Sequence, residues 1–148
     1  MAQVRFYHLR TATLERTLPK LLEKVLGLGE RAVVVAPAER IDSLDAALWT
    51  YDDRGFLPHG SAKDGQPAHQ PIWLTDHVEN PNGAGALVVT EGRAPIDLSA
   101  WKMAIDFIDG GDDAAVQAAR GRWRAYQQAG HELTYWTQGP EGGWTKTA

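Results

Sequence analysis

The sequence predicts an α/β fold with a mixed, mostly parallel central sheet flanked by helices. The first indication is the alternation of strand and helix patterns in the amino-terminal half, because this order places helices against a parallel sheet. The second is the continuous apolar segment 32–36 (AVVVA), which is typical of a strand covered on both faces. The length of 148 residues fits a single domain.

The first strand is predicted at residues 4–8 (VRFYH), and leucines and valines at spacings of three and four predict the helix that follows. Gly27 is expected to end this helix. Pro19 lies inside the helical pattern, so the helix either starts near residues 17–18 or bends at the proline.

The second helix is predicted at residues 37–50, after the strand at 32–36. Residues 52–71 show no periodicity and predict a long loop, of a kind that is usually functional or mobile. The remaining elements are strands at 72–74, 86–90, 101–108 and 131–137 and a helix at 112–129, capped by Asp112 or Asp113 and closed by Gly130. We expect the later strands to be added as hairpins. We also expect the domain to span residues 1–137 and a flexible Gly-rich tail to follow at 138–148.

Composition excludes several classes of protein. The chain has no cysteine, which removes disulfides, thiol catalysis and zinc sites that require thiolates. Its 19 acidic residues outnumber 15 Lys and Arg, which argues against general binding to nucleic acid. The first residues lack the apolar run of a signal peptide, and no segment approaches the ~18 apolar residues of a membrane helix. We therefore expect a soluble cytoplasmic protein.

No motif for nucleotide binding or catalysis is present. The turn after the first strand, residues 9–12, has no glycine, and neither phosphate-loop pattern occurs in the chain. None of the three serines lies in a nucleophile motif. We expect no cofactor and no catalytic residue.

Two groups of side chains raise the possibility of a metal. His69, His77 and Asp76 could share an ion in or near the long loop, although their spacing matches no ligand motif. The second group is acidic and consists of Asp106, Asp109, Asp112 and Asp113. It could bind a cation, but a strand end followed by a helix cap is the better interpretation, because negative charge is favoured at a helix N-terminus. We expect no metal site.

The last predicted helix carries the most informative pattern. Val116, Ala119, Trp123 and Tyr126 form one stripe, with Arg120 and Arg124 along its edge, while Arg122 points elsewhere. Arginine binds carboxylates through forked hydrogen bonds, so this face fits a ligand with carboxylates and one apolar ring. The same pattern fits a core aromatic residue with a solvated basic rim equally well.

A second candidate surface lies around the end of the second helix. Trp49 near the helix end and Phe56 and Pro58 in the loop could form an exposed apolar patch, and such patches mark partner sites. The alternative is that the loop folds back and buries these side chains over the helix.

Several motifs in order resemble the chi subunit family of bacterial DNA polymerase III. They are the opening Phe6-Tyr7, a helix ending in LDAALW (44–49), FLPH (56–59), a strand in the region 71–75, and RGRWRAY (120–126) followed by Gly130. Their order and spacing agree with the family over nearly the whole chain. Trp123 stands where the family has tyrosine and Arg124 where it has lysine, and both substitutions keep the chemistry.

The resemblance implies a mononucleotide-binding-like, Rossmann-like topology without a phosphate loop. It also implies a non-catalytic accessory role at the clamp loader of the replicase. Proteins similar to chi bind the C-terminal tail of single-stranded-DNA-binding protein, an acidic peptide ending in Pro-Phe. The matching positions in this chain are Arg120, Trp123, Arg124, Val116 and Tyr135.

The resemblance further implies a surface for the psi subunit of the clamp loader, or for a helicase in its place. The matching residues are Trp49, Phe56, Leu57 and Pro58. DNA and membrane are not expected as direct partners. Two other hypotheses stay open: an α/β enzyme that uses His59 and a loop carboxylate, and direct binding of single-stranded DNA by Trp and Arg side chains.

Overall fold

The computed structural model describes residues 1–51, 57–92, 94–141 and 143–148. Within these ranges it has eight strands, three α-helices and one short 3-10 turn. The strands are β1 (Gln3–Leu9), β2 (Ala32–Val35), β3 (His59–Ser61), β4 (Ile72–Thr75), β5 (Ala86–Val89), β6 (Met103–Asp109), β7 (Glu132–Gln138) and β8 (Trp144–Lys146); the helices are α1 (Leu14–Gly27), α2 (Ala38–Thr50) and α3 (Asp113–Gln128), and the turn is Pro67–His69. The predicted α/β class is confirmed.

The chain divides into two compact units. One, the terminal unit, contains residues 1–13 and 89–148, and its strands have the order β6-β1-β7-β8. β1 pairs in parallel with β6 on one side and β7 on the other, and β8 pairs antiparallel with β7. The expectation that β6 and β7 are hairpin additions is wrong. α3 lies between them in sequence, so the connection is a helical crossover, which parallel strands require.

The other unit, the central unit, contains residues 14–88. Its strands have the order β3-β4-β2-β5, and β4 pairs in parallel with both β2 and β3. β4 and the first three residues of β2 are fully buried, as the apolar run predicts for strands covered on both faces. The mostly parallel sheet that the sequence predicts is therefore confirmed.

The structure settles the start of α1 and adds two short elements to the predicted loop. α1 begins at Leu14 and continues through Pro19, whose buried ring lies on the same face as Leu18 and Leu22. The predicted loop contains β3 and the 3-10 turn. Three-residue elements are too short for periodicity to reveal.

The carboxyl-terminal segment contains the edge strand β8. This strand lies within residues 138–148, which the sequence assigns to a flexible tail, and Trp144 pairs with Gln138 in register. Before β8, Gly139 donates its N–H to the carbonyl of Gly143 at 2.7 Å. The limits of the domain stay a prediction.

In the described part of the chain, no helix is both long and apolar enough to cross a bilayer.

Candidate functional site

α3 is fixed at both ends by local sequence. The Asp112 carboxylate accepts hydrogen bonds from the backbone N–H groups of Ala114 and Ala115 at 3.0 and 3.3 Å, so the predicted N-cap is confirmed. Gly130 follows the helix with a φ of +86°, a left-handed conformation that glycine adopts without strain. These two residues set where α3 begins and ends.

The buried face of α3 differs from the predicted stripe by one residue. Ala119, Arg122 and Tyr126 are buried, whereas Val116 and Trp123 are half-buried. The expectation that Arg122 points away from this face is wrong. A stripe defined by apolar residues alone cannot include an arginine. The predicted buried face was therefore centred too close to Trp123 and left out Arg122.

Arg122 is buried because it has partners for its guanidinium. Its Nε and Nη2 donate to the two carboxylate oxygens of Asp106 in β6 at 2.7 and 2.8 Å, and its Nη1 donates to the Gly92 carbonyl at 2.7 Å. Burial raises the pKa of Asp106, and the adjacent guanidinium opposes that shift. This bidentate pair ties α3 to the middle of β6.

Trp123 belongs to a cluster of aromatic rings between α3 and the sheet. Its ring centroid lies 5.4 Å from that of Phe6 in β1 and 6.0 Å from that of Tyr135 in β7, both edge to face. Phe6 and Tyr135 stack at 6.2 Å, as their paired positions in β1 and β7 allow. The structure therefore places Tyr135 beside Trp123, although 12 residues separate them in sequence.

The hydroxyl of Tyr135 reaches the end of β1. It lies 2.8 Å from Nδ1 of His8. Burial raises the pKa of Tyr135, and the positive charge of Arg120 lowers it by a smaller amount. Burial and Arg10 lower the pKa of His8, against an opposing effect of Asp109. His8 was not predicted as part of this surface.

Arg120 and Arg124 line the outer edge of the same surface. Both are exposed, and neither forms an ion pair with any residue that the structure describes. They lie one turn apart, on either side of Trp123 in sequence. We use "α3 surface" for Val116, Arg120, Trp123, Arg124 and Tyr135. It offers two guanidiniums beside half-buried aromatic rings.

The second predicted surface lies in the central unit. Trp49, in the last turn of α2, is 54% exposed, Pro58 is half-buried, and Leu57 is buried. Phe56 lies outside the described residues. The Leu57 side chain therefore packs in the interior, while Trp49 and Pro58 contact solvent. We use "Trp49 surface" for Trp49, Leu57 and Pro58.

His59 lies directly beneath Trp49. The two ring centroids are 4.5 Å apart, and the His59 side chain is fully buried. Its Nδ1 is 2.6 Å from the Leu57 carbonyl and its Nε2 is 3.1 Å from Oδ1 of Asp45. The nearby carboxylate therefore belongs to α2 and not to a loop, and the buried ring offers a substrate no access.

His77 pairs with carboxylates on both sides. Its Nδ1 is 2.8 Å from Asp76, and its Nε2 is 2.7 Å from Glu79, which also accepts a hydrogen bond from the Trp73 indole. Hydrogen bonds to Asp76 raise the pKa of His77. Within the described ranges, no group of three or more His, Asp or Glu residues is arranged to hold a metal ion.

Gln138 contacts the turn that follows β1. Its side-chain Oε1 accepts hydrogen bonds from the consecutive backbone N–H groups of Arg10, Thr11 and Ala12 at 3.1, 3.0 and 3.0 Å. These donors follow β1, where a mononucleotide-binding fold places its phosphate loop. The amide oxygen thus satisfies donors that a phosphate would otherwise attract. No sequence pattern reveals this contact.

Comparison with known proteins identifies the family. Residues 1–134 match the family described as DNA polymerase III chi subunit, HolC. The chain is 35% identical over 100 residues to a probable DNA polymerase III subunit chi of Rickettsia prowazekii (strain Madrid E), a match that covers 67% of this chain but 59% of that protein. It is 26% identical over 107 residues to the DNA polymerase III subunit chi of Escherichia coli (strain K12), covering 71% of this chain and 72% of that protein. The chain belongs to the DNA polymerase III chi subunit family.

Proposed function

We propose that this chain is a non-catalytic accessory subunit of the DNA polymerase III holoenzyme. In this role it links the replicase at the clamp loader to single-stranded-DNA-binding protein, in the cytoplasm, by capturing the acidic C-terminal tail of that protein. Family membership supports the replication context. The observation that carries the proposal is the α3 surface, where two exposed arginines border half-buried aromatic rings.

The chemistry of the surface matches that of the tail. Arg120 and Arg124 have no ion-pair partner among the described residues, so their donors are available to carboxylates of a ligand. Trp123 and Tyr135 offer apolar edges to the terminal phenyl ring, and Val116 extends the same face of α3 by two turns. An acidic peptide that ends in Pro-Phe supplies both kinds of group.

The Trp49 surface is the proposed site for a second protein. An exposed tryptophan is typical of an interface anchor. The psi subunit of the clamp loader is the proposed occupant, and a helicase is the alternative. The segment that includes Phe56 adjoins this surface in sequence.

Titration calorimetry with a synthetic acidic peptide ending in Pro-Phe tests the first proposal. Wild-type protein is expected to bind, and Arg124→Ala is expected to weaken binding about tenfold or more, because a charged hydrogen bond is lost. Lys20→Ala is the matched control, since it removes one exposed positive charge from α1. Binding is expected to weaken as salt concentration rises, because the arginines are exposed.

Two further peptides test which part of the ligand is recognised. Replacing the terminal Phe by Ala removes the ring, and amidating the C-terminus removes one carboxylate; both are expected to weaken binding. Absence of binding to folded wild-type protein contradicts the proposal. Binding of a bare single-stranded oligonucleotide at similar strength favours direct DNA binding in its place.

A further inference from the structure

The feature of interest is the buried pair of Asp45 and His59 beneath Trp49. Trp49 is 54% exposed, yet its ring lies 4.5 Å from that of His59, tilted by 51°. The His59 side chain is fully buried and that of Asp45 is 15% exposed. Trp49 therefore packs against the buried His59 ring while about half of the Trp49 residue is exposed.

His59 joins the two segments that form the Trp49 surface. Through Nε2 it faces Asp45, which lies one helical turn before Trp49 in α2. Through Nδ1 it contacts the carbonyl of Leu57, which immediately precedes Pro58. One side chain thus contacts the ring of Trp49, the helix that carries it, and the backbone beside Pro58.

The contacts of its two ring nitrogens favour one orientation of the His59 ring. Nδ1 of His59 lies 2.6 Å from the Leu57 carbonyl and Nε2 lies 3.1 Å from Asp45 Oδ1, so both ring nitrogens face oxygen atoms in the buried interior. Nε2 and Asp45 Oδ1 lie close together, but the two atoms are not aligned as a hydrogen bond. The ring is fully buried, so an orientation that moves Nδ1 away from the Leu57 carbonyl leaves a buried polar atom without that partner, which is unfavourable.

We propose that His59, together with Asp45, is a positioning residue that holds Trp49 and the segment 57–58 in one arrangement for a protein partner. The proposal deepens the role proposed above for the Trp49 surface and rests on it. A side chain held in place before binding loses less conformational entropy when the partner docks. His59 itself is buried and makes no contact with the partner.

The first test measures Trp49 in the free protein, so it needs no partner. The indole N–H resonance of Trp49 is assigned by its loss in Trp49→Phe. In His59→Gln the heteronuclear NOE of this resonance is expected to fall as the ring becomes mobile. Acrylamide quenching of the Trp49 fluorescence, measured as the difference from Trp49→Phe in the same background, is expected to rise about twofold for the same reason. In His69→Gln, which removes an exposed histidine, both quantities are expected to stay at their wild-type values.

A second variant guards against misfolding of His59→Gln. Asp45→Asn keeps the shape of the carboxylate and is expected to loosen Trp49 in the same direction. Its matched control is Asp42→Asn on the same helix, where the carboxylate is exposed and pairs with Lys63 at 3.4 Å. A folded His59→Gln or Asp45→Asn protein with an unchanged Trp49 resonance, NOE and quenching overturns the proposal.

The second test uses the purified clamp-loader psi subunit, or a replicative helicase, and separates positioning from a direct contact. His59→Gln is expected to weaken binding about tenfold. In the Trp49→Ala background, His59→Gln is expected to have little further effect, because His59 acts through Trp49. Additive losses overturn the positioning role. If wild-type protein binds neither partner, the role of the surface fails, and the measurements on Trp49 still decide the positioning.

Discussion

Gln138 is held by more backbone donors than any other side chain described above. Its amide oxygen accepts three N–H groups from residues 10–12 and it is buried. Gln138→Ala is expected to destabilise the protein by about 1–3 kcal/mol, because three part-buried backbone donors lose their acceptor. The change is read from the free energy of unfolding in urea, with Gln127→Ala, an exposed glutamine in α3, as the control.

Gln138→Glu sharpens the same prediction. It keeps an oxygen in place and adds negative charge, which three converging N–H groups favour. Its stability at neutral pH is expected to equal or exceed that of wild type, and the introduced carboxyl is expected to have a lowered pKa by carbon NMR. A Gln138→Ala protein as stable as wild type contradicts the role given to this side chain.

His77 makes stability depend on pH. A hydrogen bond to Asp76 raises the pKa of His77, while bonds to His77 and to the Trp73 indole lower the pKa values of Asp76 and Glu79 respectively. The stabilisation by His77 is fully present below about pH 6.5 and is lost as pH rises through its raised pKa. The stabilisation by the two carboxylates is present above about pH 4 and is lost as pH falls through their lowered pKa values.

The difference in urea midpoint between wild type and His77→Gln is therefore expected to be largest near about pH 5–6 and to vanish in alkaline solution. His69→Gln, which removes an exposed histidine outside this group, is expected to show no such dependence. The group is exposed, so salt should reduce the difference. A difference that grows towards high pH contradicts the assignment.

At the scale of an element, the pair of Arg122 and Asp106 sets how α3 lies on the sheet. Arg122→Met leaves the Asp106 carboxylate buried without its partner and is expected to cost about 3–5 kcal/mol. The double variant Arg122→Met with Asp106→Leu removes both charges and is expected to recover most of the loss. Arg124→Met, an exposed arginine of the same helix, serves as the control and is expected to change stability by about 0.5 kcal/mol or less.

The free energy of unfolding of these variants in guanidinium chloride measures the contribution of the pair. A loss below about 1 kcal/mol in Arg122→Met would show that the pair contributes little to the docking of α3. A double variant no more stable than Arg122→Met would show that packing around the charges matters more than the charges.

The sequence predicted the elements better than their contacts. The cap at Asp112 and the outer positions of Arg120 and Arg124 follow from local patterns, and the structure confirms them. Arg122 was misplaced because charged residues are expected at the surface unless a buried partner is known, and Asp106 lies 16 residues away in the chain. The Gln138 contact spans more than 120 residues, so no local pattern reveals it.

At the scale of the whole molecule, each candidate surface lies within one compact unit. The α3 surface belongs entirely to the terminal unit and the Trp49 surface to the central unit. Contact networks that share no residue are expected to act independently. In the role proposed above, this independence would let the Trp49 surface stay bound to the clamp loader while the α3 surface releases one tail of single-stranded-DNA-binding protein and binds another.

Peptide binding by single and double variants tests this independence. Trp49→Ala is expected to bind the acidic peptide within about twofold of wild type, and Arg124→Ala is expected to lose the same factor with or without Trp49→Ala. The coupling free energy from the four titrations is then close to zero, because neither substitution alters a contact of the other. A coupling above about 1 kcal/mol would mean that a change at one surface alters peptide binding at the other, so that the two surfaces are not independent. Titration of the peptide with a partner bound at the Trp49 surface would then measure whether the chain acts as a switch, because by linkage each ligand changes the affinity of the other by the same factor.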